Sequence, residues 1–89
     1  MIDVHIASFI VYTKPYALSY IAATVQSLPG VTIAERDATG KLVLVYESDK
    51  GMTINAFLDR VHALQGVVHV TLVSHHVESA ETLEEAISP

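Results

Sequence analysis

Apolar residues fall in two alternating rhythms along the chain. His5-Ile6-Ala7-Ser8-Phe9-Ile10-Val11-Tyr12 is apolar on both parities and β-rich, the pattern of a strand buried on both sides. Pro15 then suits the first turn of a helix, where its missing N–H costs nothing. Leu18, Ile21, Ala22, Val25 and Leu28 follow at helical spacing and form one stripe, and Pro29-Gly30 stops it. Val31 to Arg36 reads as a second strand, Asp37-Ala38-Thr39-Gly40 as a turn, and Lys41 to Glu47 as a third strand that closes a hairpin. A second helical stripe (Ile54, Phe57, Leu58, Val61, Leu64) ends at Gln65-Gly66, and Val67 to Val77 reads as the last strand.

The two helical stripes superpose by a single shift of 36 residues, which also carries Gly30-Val31 onto Gly66-Val67. Two such halves joined by a hairpin predict an α+β, ferredoxin-like β-α-β-β-α-β fold. Right-handed crossovers then place both helices on one face of a four-stranded antiparallel sheet. One domain over 1–78 is expected, with 79–89 as an acidic, flexible tail.

Such a sheet has a second face without helices. In the third strand Lys41 and Glu47 share a parity with Val43 and Val45, which assigns that parity to the helix-free face. Asp3 and His5 by the same reasoning place Ala7, Phe9 and Val11 there. In the last strand Val68, Val70 and Leu72 look like core, leaving His69, Thr71, Val73 and His75 outside. Glu35 and Arg36 leave the second strand ambiguous. Ser8 is expected to be a small residue that lets a helix approach the sheet. The resulting floor of valine and phenylalanine would cover about 400–500 Å², enough for dimerisation or for docking an apolar helical peptide.

Charge and composition narrow the classes. The 89 residues hold ten acids and five bases, a net charge of −5, with 51% hydrophobic residues and no cysteine. Four of the acids (Glu78, Glu81, Glu84, Glu85) lie in the last twelve residues, which contain no base. Five scattered cations do not make the basic face that a nucleic-acid binder needs. No run reaches the ~18 apolar residues of a membrane span, and the start lacks a basic signal region, so a cytoplasmic location without membrane insertion is expected. The histidine pair His75-His76 points to opposite faces of a strand, so no metal site is expected. Neither a nucleophile elbow nor an arginine-bearing anion loop is present, and the four tyrosines make no RNA-stacking pair. These readings predict a binder without catalytic residues or cofactor.

Several segments together resemble the NapD family. They are His5-Ile6-Ala7-Ser8-Phe9-Ile10-Val11, Leu28-Pro29-Gly30-Val31, Gly40 to Glu47, Gly66-Val67, and the closing Leu72-Val73-Ser74-His75-His76-Val77-Glu78 with acids behind it. Ser74 departs from the tyrosine expected before the histidine. The resemblance implies a cytoplasmic chaperone of the periplasmic nitrate reductase catalytic subunit. It would bind that precursor's twin-arginine signal peptide and delay export until molybdenum cofactor insertion and folding finish. The expected peptide-binding residues are Ala7, Phe9, Val11, Val43, Val45, Glu47, Thr71, Val73 and His75, with a monomer favoured. The alternative is a dimeric ferredoxin-like sensor that binds a small molecule or metal at its subunit seam.

Overall fold

The computed structural model describes residues 3–48 and 53–79. Its elements are β1 (Asp3–Thr13), a 3-10 turn (Pro15–Ala17), α1 (Leu18–Gln26), β2 (Val31–Asp37), β3 (Lys41–Glu47), α2 (Ile54–His62) and β4 (Val67–Ser79). All pairings are antiparallel, in the order β2-β3-β1-β4. This is the ferredoxin-like arrangement that the sequence pattern predicts. The acidic tail beyond Ser79 lies outside the described residues.

The helices stop and start where the local chemistry directs them. Pro15 opens the 3-10 turn ahead of α1. Thr53 caps α2, its Oγ1 accepting from the Ala56 N–H at 3.2 Å. At the end of α2, Gly66 takes φ +98°, and a Cβ there would run into Ala17. Its carbonyl accepts from the Lys14 N–H at 2.8 Å, so the close approach that only glycine allows ties the end of the second half to the start of α1.

The hairpin between β2 and β3 is built on Asp37. Its Oδ1 accepts from both the N–H and the hydroxyl of Thr39, each at 2.9 Å. The Thr39 N–H, then its hydroxyl, with a smaller contribution from Lys41, hold the Asp37 carboxyl below its usual range. A depressed folded value means the carboxylate's contribution is complete above the unfolded value and is lost as pH falls through the folded one. Thr39→Ala, which keeps the N–H and deletes the hydroxyl, should raise the titration midpoint of Asp37 followed by NMR. An unchanged midpoint would show that the hydroxyl does not hold the anion.

The core lies between the sheet and the helices. Ala7, Phe9 and Val11 from β1, Leu42, Leu44 and Tyr46 from β3, and Val70 from β4 face Ile21, Val25, Phe57 and Val61. Phe57 is its aromatic centre, stacked on Tyr46 with ring centroids 4.2 Å apart and tilted against Phe9 at 5.4 Å.

This packing reverses one assignment. Ala7, Phe9 and Val11 are fully buried under the helices rather than on the helix-free face. The other parity of β1 (Ile6, Ser8, Ile10, Tyr12) takes that face, and Ser8 pairs across it with Val45 and Ser74 instead of making room for a helix. The cause is the connections between strands and helices. The 36-residue shift superposes the helices but carries Phe9 onto Val45, which lies on the opposite side of the sheet, so the strand repeat needs an odd shift. His5 misleads because it lies on the helix side at the rim of the covered zone, where a polar group reaches solvent without changing parity.

Three irregularities correct the remaining strands. Between Ser8 and Phe9 the partner on β4 jumps from Ser74 to Leu72, so Val73 is an extra residue. Leu72 and Val70 therefore share the side of Phe9 and Val11, while beyond the bulge that side passes to His75, the partner of Ala7. His75 thus lies on the helix side and not on the free face. Val68 is likewise an extra residue between His69 and Val67, and it is exposed rather than core; Leu72 faces the helix side but is also exposed. In β2 the extra residue is Ala34, which puts Glu35 opposite Val43 and sends Arg36 to the helix side, where its Nη2 donates to Ser19 Oγ at 2.9 Å.

Candidate functional site: the helix-free face of the sheet

Partners directly opposite on antiparallel strands point to the same side, so the register defines the free face row by row. Its middle rows are Thr71-Ile10-Val43-Glu35 and Ser74-Ser8-Val45-Thr32, read from β4 to β2. The row toward the hairpin is His69-Tyr12-Lys41-Asp37, and the row at the other end is His76-Ile6-Glu47. Ile6, Ile10, Val43 and Val45 form a strip along the two central strands. All four are half-buried, shielded by their neighbours within the sheet, and neither helix lies on them. Small hydroxyl residues flank the strip.

Ionisable groups sit at the margins of this face. Glu35, Asp37 and Lys41 gather at the hairpin end, where they line a hollow together with Arg36, Ala38 and Val43. Glu47 stands at the other end of β3 and is exposed. Tyr12 and His69 stack with ring centroids 6.1 Å apart and close the corner nearest β4. An elongated ligand crossing from one end to the other would meet Glu47 at one end, the mixed charges of Asp37 and Lys41 at the other, and branched aliphatic groups between them.

Of the residues expected to bind peptide, the structure gathers Val43, Val45, Glu47 and Thr71 on this face. Ala7, Phe9 and Val11 lie beneath it in the core, His75 is on the reverse side, and Val73 is the exposed bulge residue on the outer strand. The reading of the sequence missed Ile6 and Ile10. Their signal was present, since β1 is apolar on both parities and both faces of the strand are used. Among the described residues, no group of three or more His, Cys, Asp or Glu side chains is placed to hold a metal, and no helix is long and apolar enough to cross a membrane.

Comparison with known proteins agrees with this architecture. The family model described as NapD protein matches residues 4–79. The curated proteins named Chaperone NapD from Escherichia coli K12 and from Shigella flexneri are each 31% identical over 74 residues, covering 82% of this chain and 85% of theirs. The solution structure of the E. coli Tat proofreading chaperone protein NapD is similar to this chain, with a TM-score of 0.72 and 29% identity, covering 86% of this chain and 82% of that one. With the strand order, the paired helices and the ordered segments along the sequence all in agreement, the chain belongs to the NapD family.

Proposed function

We propose that this NapD-family protein is a chaperone that works in the cytoplasm as a monomer. It holds the twin-arginine signal peptide of a nitrate reductase catalytic-subunit precursor on the helix-free face, delaying export until the cofactor is inserted. One observation carries the reading: the aliphatic strip of Ile6, Ile10, Val43 and Val45 has no helix over it, with Glu35 beside Val43 on the edge strand and Asp37, Lys41 and Glu47 toward its two ends. A signal peptide is complementary to that layout, with an apolar stretch able to coil into a helix and a pair of arginines ahead of it.

Magnitudes divide the labour. Burying one valine-sized or isoleucine-sized side chain contributes about 1.5–3 kcal/mol, whereas an exposed charge pair contributes about 0–1 kcal/mol. The strip therefore supplies most of the affinity. The acids Glu35, Asp37 and Glu47 orient the peptide by attracting its arginines to an end, and Thr71 borders its path. On this reading the chain acts by binding.

Titrating isotope-labelled protein with the synthetic twin-arginine peptide should shift the amides of Ile10 and Val45 together with their row partners on β4 and β2. Saturation that leaves β1 and β3 unshifted would defeat the assignment of the face.

A further inference from the structure

On the opposite side of the sheet two histidines meet. His5 Nδ1 and His75 Nε2 are 3.1 Å apart, with ring centroids at 5.3 Å and planes 34° from each other. The register makes this a diagonal cross-strand pair: His5 stands opposite Val77 and His75 opposite Ala7. The bulge at Val73 creates the meeting by turning His75 to the side of His5. The two rings border a hollow whose other walls include Ser48, Thr53, Asn55 and Leu72. The Ser48 N–H donates to the His5 carbonyl at 2.9 Å, which holds the end of β3 against β1 at this point.

We infer that His5 and His75 form a two-nitrogen chelate for a borderline divalent transition ion of the nickel, copper or zinc class. Metal–imidazole bonds are about 2.0–2.1 Å long, so nitrogens 3.1 Å apart subtend about 100° at an ion seated between them, close to the angle between neighbouring ligands in tetrahedral and octahedral sites. The shared hydrogen bond already brings the two nitrogens to this spacing; on binding, the donor ring changes tautomer, its proton moving through solvent to its other nitrogen, and both lone pairs turn to an ion seated off the line between them. Neutral imidazole is the ligand these ions favour among side chains that lack sulfur. The other positions around the ion open toward the hollow that Ser48 and Asn55 help to line, where water can enter. His76, the partner of Ile6, lies on the other side of the sheet and takes no part. The site is independent of the peptide face, so the two readings fail separately.

The test is a calorimetric titration of the full chain, free of any affinity tag, with NiCl2. The wild type should bind one ion saturably, with affinity reduced at least tenfold in His5→Gln and in His75→Gln and unchanged in His69→Gln, whose ring stacks on Tyr12 across the sheet. A parallel NMR titration of the wild type with CuCl2 should broaden the ring signals of His5 and His75 before those of His62 and His69, which needs no variant to fold. Wild-type affinity in either of the first two variants, broadening that begins at His62 or His69, or no saturable uptake below about 1 mM overturns the proposal.

Discussion

Phe57→Ala should lower the unfolding free energy by about 3–5 kcal/mol, measured by urea or thermal denaturation. Phe57 is buried, stacked on Tyr46 and tilted against Phe9, so it joins α2 to both central strands. Alanine loses the transfer energy of the ring and leaves a void lined by two rigid aromatics that cannot collapse into it. A domain of this size is stabilised by about 5–15 kcal/mol in total, so the loss is a large share of what holds it folded. A change below about 1 kcal/mol would mean that the stack contributes little and that α2 is held by Ile54 and Val61 instead.

Val45→Asp should weaken binding of the twin-arginine peptide at least tenfold, about 1.4 kcal/mol, while the folded signature in circular dichroism persists. The sign separates two accounts of affinity. If arginines dominated, another carboxylate on this face would strengthen binding. If the aliphatic strip dominates, the substitution removes a buried contact and places a charge beneath an apolar peptide, where its desolvation is unfavourable. Val45 sits between Ser8 and Thr32 in the middle of the sheet, away from the core cluster, so the variant has no packed interior to lose. Tyr20→Ala, at an exposed position of α1, should bind as the wild type does. Tighter binding by Val45→Asp would identify electrostatics as the main source of affinity.

The order of elements and the location of the turns were legible in the sequence because each rests on a local rule. Helical spacing, Pro-Gly and Gln-Gly stops, and the Asp37 to Gly40 turn required no knowledge of distant residues. The facing of β3 was legible too, since Lys41 and Glu47 mark one parity of an alternating strand. The facing of β1 was not. Ile6 and Ile10 are as apolar as Phe9 and Val11, and the deciding information is the registry of the sheet with the helices, a tertiary property. The bulges were the other obstacle. One extra residue at Ala34, Val68 or Val73 has no chemical signature of its own, yet each exchanges the two sides of its strand from that point onward.

The extra residues on β4 have one more consequence. This is the outermost strand on its side, thirteen residues long and rich in branched aliphatic groups, with Val68, Val73 and Val77 open to water. A straight ribbon of that kind is a template on which identical molecules can zip together into fibrils. Two kinks along its length break the even spacing of its unpaired amides, so a second molecule approaching edge-on finds no long run to match. The same distortion that brings His75 round to His5 thus also helps keep the molecules apart at high concentration.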